Sequence, residues 1–215
     1  MKILECHYPE QAIAELLRLI PSYSPPTVVF DIDDTVIEGE PQKLIKPLFN
    51  LYLHFRSMPK ARIYFITARE SSDVNVRYTI QDLARFNMGS YHGLFLRPAT
   101  EYDLGAFKAK RRNYINRKSP VKRKININIG NRWSDLFSPA EEKRYAQQLQ
   151  RLKVTRFYIL QTGKILRLKL PTLWADKRRA KVRKGKPCKI VKIKTKTLKK
   201  KRSPHHAKRT KRSRH

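Results

Sequence analysis

Acidic side chains are scarce in this sequence: 17 Asp and Glu stand against 49 Lys and Arg, a formal net charge of +32 over 215 residues. Such a balance calls for polyanionic partners, nucleic acid first and anionic membrane or acidic protein second. Cysteine is nearly absent too. Cys6 and Cys188 lie at opposite ends in no metal-like spacing, which argues against a thiolate metal site or a disulfide framework, and they are expected to be free thiols. Long apolar runs are missing: no stretch of ~18 apolar residues exists to span a bilayer. The first 20 residues carry Glu5, Glu10 and Glu15 in place of the apolar core of a signal peptide. An intracellular setting, cytoplasmic or nuclear, is the resulting expectation.

The charge is unevenly spread. Residues 177 to 215 hold 20 Lys and Arg and no acid, leaving 29 Lys and Arg against all 17 acids, or +12, on residues 1 to 176. A run of this density repels itself and buries little, so a disordered, polyanion-binding tail is expected at 177–215 after one globular domain at 1–176. Within the tail, the alternation Ile190-Val191-Lys192-Ile193-Lys194 has the pattern of a strand that could form on a partner. The cluster Lys199-Lys200-Lys201-Arg202 also has the form of a nuclear-localisation signal.

Residues 1 to 176 alternate between two periods. Pro9 to Ile20 places Ile13, Leu16, Leu17 and Ile20 on one helical face, and Pro47 opens a helix to Met58 with Leu48, Leu51 and Phe55 inward. Strands are expected at Val28 to Phe30, Arg62 to Thr67, Tyr91 to Leu96 and Lys124 to Ile129. Helices are expected at Ser72 to Phe86, Gly105 to Arg117 and Ala140 to Leu152, and Thr155 to Leu170 reads as two strands turning at Thr162-Gly163. Alternating strands and helices predict an α/β domain, a parallel sheet covered on both faces.

One stretch carries chemistry. Val28-Val29-Phe30-Asp31-Ile32-Asp33-Asp34-Thr35 is an apolar run ending in carboxylates, and acids in that position sit at the mouth of an α/β sheet. Residues two apart share a side of a strand, so Asp31 and Asp33 can converge on one ligand. An EF-hand calcium loop is excluded, because its sixth and twelfth positions hold Val36 and Gln42 where Gly and Glu are needed. A solvated acidic turn is the bland alternative.

Three later segments favour a reactive site. Asp-x-Asp-x-Thr after an apolar strand resembles the first motif of the haloacid dehalogenase superfamily. Ile63-Tyr64-Phe65-Ile66-Thr67-Ala68-Arg69 resembles its second, and Phe107-Lys108-Ala109-Lys110-Arg111-Arg112 its third. Ile127-Asn128-Ile129-Gly130-Asn131-Arg132-Trp133-Ser134-Asp135-Leu136 resembles the fourth, in the form Gly-Asp-Gln-Trp-Ser-Asp-Leu found in class B-type acid phosphatases and plant vegetative storage proteins. Leu168-Lys169-Leu170-Pro171 resembles the Lys-Leu-Pro that closes that subfamily, so the likeness spans about residues 26 to 172.

The resemblance implies a Rossmann-like fold and a magnesium-dependent phosphomonoesterase. Asp31 would be the nucleophile and Asp33 the acid and base, Thr67 with the Ala68 amide would hold a phosphate oxygen, and Lys108 would offset negative charge. Asp31, Asp33 through its carbonyl, Asn131 and Asp135 would hold Mg2+, with Asp135 in its outer shell or orienting Lys108. One departure is visible: Asn131 stands where the family has an acid, which removes a negative charge from the metal site. Asp31 and Thr67 are 36 residues apart and Thr67 and Lys108 are 41, which leaves no room for a large cap domain. An open site would admit a phosphorylated macromolecule or a free nucleotide. The alternatives are a nucleic-acid-binding protein with a vestigial fold and a nucleic-acid 3′-phosphatase.

Arg69 is expected either to reach phosphate or to pair with Glu70 or Asp73, Trp133 to pack beside the site, and Asp34 to face away and bond locally.

Overall fold

Four residues of high β propensity, Thr27 to Phe30, make the strand around which the molecule is built. The computed structural model describes residues 2–20, 25–120, 123–150, 158–171 and 188–191. In chain order the elements are β1 (Lys2–Cys6), α1 (Pro9–Arg18), β2 (Thr27–Phe30), β3 (Ile37–Glu38), β4 (Lys43–Leu44), α2 (Lys46–Ser57), β5 (Arg62–Glu70) and α3 (Asp73–Arg85). There follow β6 (Gly93–Arg97), α4 (Leu104–Lys118), β7 (Ile127–Gly130), α5 (Trp133–Leu136), α6 (Pro139–Gln150), β8 (Tyr158–Thr162), β9 (Leu166–Lys169) and β10 (Lys189–Val191).

Eight strands form one sheet in the order β10-β1-β8-β9-β7-β2-β5-β6. From β9 to β6 the pairings are parallel. The expected parallel sheet is therefore only part of the sheet, because β8, β1 and β10 add an antiparallel edge. Every residue of β2, β7 and β9 is buried, as expected of strands covered on both sides.

Alternation along β2 sends Val28 and Phe30 to one face and Val29 to the other. The Phe30 ring meets Tyr52 and Phe55 of α2 edge-on and shares one core cluster with Leu16 of α1 and Leu83 of α3; Val29 belongs to a second cluster with Phe107 and Ile115 of α4. A ring buried like Phe30 is worth about 3–5 kcal/mol against alanine. Helix starts are set locally. Ser72 Oγ accepts from Asn75 N, Asp103 Oδ1 accepts from Ala106 N, and Ser138 and Glu141 form a reciprocal capping box before α6.

Between β2 and β5 the chain inserts only the β3–β4 hairpin and α2, and between β5 and β6 only α3, so no cap domain covers the sheet. No described helix is long and apolar enough to cross a membrane.

Two expectations about the ends are corrected. Lys189–Val191 pairs with β1 of its own chain, with Ile3 opposite Val191 and Glu5 opposite Lys189, so the alternating segment completes the protein's own sheet. The next pair in that register is Cys6 and Cys188, and these are joined in a disulfide with Cα atoms 4.4 Å apart, rather than free. Such bonds persist in oxidising surroundings and are rare in reducing ones. The rest of the basic tail, residues 177–187 and 192–215, lies outside the described residues.

Candidate active site

Parallel strands end together, so the residues that follow β2, β5 and β7 meet at one edge of the sheet. From β2 the chain moves outward to β5 and β6, then returns to the other side of β2 as β7. The crevice at such a reversal is where open α/β sheets hold ligands. A small cavity of about 50 Å³ there is lined by Asp31, Asp33, Ala68, Lys108 and Asn131, with Asp34 also among its walls. Asp34 has a φ of 56°, in the left-handed region, and bonds locally as expected, its N donating to Ile37 O at 2.8 Å. Cavities of about 240 and 710 Å³ lie along α4, but neither is lined by any of these carboxylates.

The centre of the site is a buried three-group cluster. Lys108 Nζ donates to Asp31 Oδ1 at 2.7 Å and to Asp135 Oδ1 at 2.5 Å, and the three side chains are 3%, 8% and 2% exposed. Two carboxylates on one ammonium leave one negative charge uncompensated. Burial, reinforced by Asp135 and partly offset by Lys108, pushes Asp31 up to about 7. Burial works against the Lys108 ammonium as well, but Asp31 and Asp135 together outweigh it and raise its pKa. Thr35 Oγ donates to Asp31 Oδ2 at 3.3 Å, which gives the last residue of Asp-x-Asp-x-Thr a role.

Asp135 reaches the cluster because of what surrounds it. A Cβ at position 130 would overlap the Asp135 side chain, so only glycine at the end of β7 allows the approach. Arg132 N donates to Asp135 Oδ2 at 2.7 Å. From α4, the buried Arg112 donates to the carbonyls of Ser134, Asp135 and Phe137, collecting the unsatisfied acceptors of α5. Burial lowers the Arg112 pKa to about 10, with Asp135 and Glu141 opposing. Within a Lys-Arg run nothing in the sequence sets this residue apart, and only packing distinguishes it. Trp133 is buried against Phe137, a packing residue as expected.

The phosphate-binding candidates lie on β5, whose pairing with β6 is irregular between Ile66 and Glu70. Irregularities of this kind re-aim side chains beside active sites. Thr67 Oγ donates to Asp33 Oδ2 at 3.3 Å and accepts from Arg69 N at 3.2 Å. Arg69 pairs with neither Glu70 nor Asp73. Its guanidinium bonds Asp33 and Asp82, each at 2.7 Å, while Glu70 pairs with Arg97.

A hard cation needs oxygen donors. Among the described residues no three His, Cys, Asp or Glu side chains cluster so as to hold a metal. The reason is legible: Asp135 is turned to Lys108, and position 131 is an amide. The Asp31 carboxylate and the buried Asn131 side chain still bring oxygens to this cavity, and the uncompensated charge of the cluster favours a cation beside it. Oxygens of this kind are what a hard cation takes, here with fewer charges than two carboxylates would bring.

No family model matches the chain, and no curated protein matches it. Among solved structures it is similar to one described as the Pnkp1/Rnl/Hen1 RNA repair complex, with a TM-score of 0.39 and 14% identity over 50% of this chain and 36% of that one. A second, of the Pnkp1/Rnl/Hen1 complex, gives a TM-score of 0.43 and 15% identity over 58% and 44%. The likeness takes in less than half of either solved chain. It is a distant likeness, and the chemistry has to be argued from the side chains.

Proposed function

We propose that this chain is a phosphomonoester hydrolase of the haloacid dehalogenase type, working through an aspartyl-phosphate on Asp31. The observation that carries the reading is the buried Asp31–Lys108–Asp135 cluster at the strand reversal, with Asp33 and Ala68 lining the same cavity. An Asp31 oxygen attacks phosphorus and the bond to the leaving oxygen breaks, while Asp33 protonates that oxygen. Water then attacks the acyl phosphate and gives its proton to Asp33, which releases phosphate and restores Asp31. Two carboxylates are needed because one is covalently occupied while the other moves protons.

In this reading Thr67 and the Ala68 amide hold a phosphoryl oxygen, and Lys108 offsets the charge gathered around Asp31. Magnesium held by Asp31, Asn131 and the Asp33 carbonyl would neutralise phosphoryl oxygens. The basic tail binds nucleic acid or another polyanion, so a phosphorylated polynucleotide is the favoured substrate class. Asn131 favours a second reading, a nucleic-acid-binding protein in which the site is vestigial.

The deciding measurement is hydrolysis of p-nitrophenyl phosphate with magnesium by the full chain and by Asp31→Asn, with circular dichroism to check folding. A loss of at least about 10³-fold in a folded variant is expected, the scale on which removing a nucleophile acts. Equal rates would remove Asp31 from the chemistry, and no rate in either protein would leave the vestigial reading in possession.

A further inference from the structure

Asp33 stands at the open side of the site with half its side chain exposed, yet neither of its oxygens is idle. Oδ1 accepts from Nη2 of Arg69 at 2.7 Å and from Nε at 3.1 Å; Oδ2 accepts from Nε at 3.0 Å and from the Thr67 hydroxyl. The far corner of the same guanidinium, Nη1, donates to Asp82 Oδ2 on α3 at 2.7 Å and to Thr79 Oγ at 3.3 Å. Arg69 is thus stretched between two carboxylates from different elements.

Asp82 has a further connection. Its Oδ2 accepts from Gln42 Nε2 at 2.9 Å, and Arg85, one turn along α3, lies 3.5 Å from its Oδ1 and donates to Gln42 Oε1 at 2.6 Å. Gln42 lies in the loop between β3 and β4, the hairpin that follows Asp-x-Asp-x-Thr directly. An unbroken set of hydrogen bonds therefore runs from the hairpin, through α3, to Asp33.

We propose that Asp82 is a positioning residue for Asp33: by holding Nη1 of Arg69 it fixes the guanidinium across that carboxylate, and Gln42 ties the hold to the β3–β4 hairpin. The inference rests on the phosphatase reading, which gives Asp33 its proton-transfer role. A guanidinium is a rigid planar fork, so fastening one corner orients the other two donors. A free arginine side chain samples many rotamers, and the Asp82 anchor removes that freedom before substrate arrives. Proton transfer depends on such alignment, because a carboxylate misplaced by ~1 Å can lose most of its catalytic effect. Without Asp82, Arg69 keeps a single carboxylate partner and is free to turn with it.

Leaving-group dependence tests this. An alkoxide leaves poorly and needs the proton from Asp33, whereas p-nitrophenolate leaves well without it. In Asp82→Ala, kcat/KM is expected to fall about tenfold on an alkyl phosphate and less than about twofold on p-nitrophenyl phosphate, since general acid help acts selectively on the first. Asp82→Asn, which keeps an oxygen for Nη1, should restore part of the loss, and Gln42→Ala should show a smaller loss with the same selectivity. Equal losses on both esters would mean that Asp82 only supports the fold, and no loss on either would remove it altogether; both outcomes overturn the proposal. The 15N signal of Arg69 Nε–H, assigned by its absence in Arg69→Lys, supplies a readout that needs no turnover. It should be protected from exchange in the wild type and lose protection in Asp82→Ala; unchanged protection overturns the anchoring. A wild type that hydrolyses neither ester would fail the phosphatase reading and, with it, the proton-transfer role assigned to Asp33.

Discussion

On one side of β9 the strands β7, β2, β5 and β6 run parallel; on the other, β8, β1 and β10 run antiparallel. The parallel half holds together through crossover helices on both faces, and its strand ends deliver the Asp31–Lys108–Asp135 cluster to one point. The antiparallel edge joins the two ends of the described chain by register and by the Cys6–Cys188 bond, and contributes no residue to the carboxylate cavity. Stability and chemistry are therefore coupled in the first region and separable in the second.

The largest effect should come from breaking that coupling inside the parallel half. Lys108→Met leaves Asp31 and Asp135 buried side by side without their cation, and a buried pair that loses one member typically costs about 3–5 kcal/mol. Urea melts should show a loss of that size together with loss of hydrolysis. A stable, active variant would show that the cluster is solvated in solution.

Cutting the edge should lower stability alone. The bond closes a span of 182 residues, and removing a native disulfide costs typically about 2–4 kcal/mol. Cys6→Ser with Cys188→Ser should melt lower by about 5–15 °C, while its p-nitrophenyl phosphate kinetics at 25 °C stay within about twofold. A large change in turnover would join the edge to the site and undo the comparison.

The smallest effect lies at the seam. Lys169 is buried at the end of β9, its Nζ bonded to the Leu170 carbonyl at 2.9 Å and lying over the Trp133 ring. Burial lowers its pKa from 10.5 to about 8, with Asp135 opposing. Because the folded value lies below the unfolded one, the cost of burying the charge is fully present below pH 8. It fades as pH rises from about 8 to about 10.5. Lys169→Met should stabilise the protein by about 1–2 kcal/mol at pH 7, less than the full shift would carry, and by less at pH 9.5. Parallel denaturant melts at the two pH values decide it, and an advantage that does not shrink at pH 9.5 would assign it to packing instead.

Local patterns made the central strand, the helices α1 to α4 and α6 and the position of the carboxylates readable, because strand period, helix period and caps are properties of neighbours along the chain. β1 escaped because Lys2–Cys6 lacks a clean alternation, and β10 because three residues inside a basic run have no meaning without the strand they pair with. The disulfide escaped for the same reason: two cysteines 182 residues apart carry no signal until an antiparallel register sets them opposite each other. Arg69 was singled out, but Asp82 comes to it from α3, and no spacing rule chooses that acid over Glu70 or Asp73.

By itself the sequence determined that an apolar strand ends in Asp31 and Asp33, that strands and helices alternate around it, and that positive charge gathers at 177–215. Each of these depends on residues close along the chain. Tertiary structure alone decided that Lys108 would be shared by two buried carboxylates, that Arg112 would hold α5 from beneath, and that Cys6 would meet Cys188. The physical reason is that burial and long-range pairing set the energy of a charge or a thiol, and both come into being only when distant segments pack.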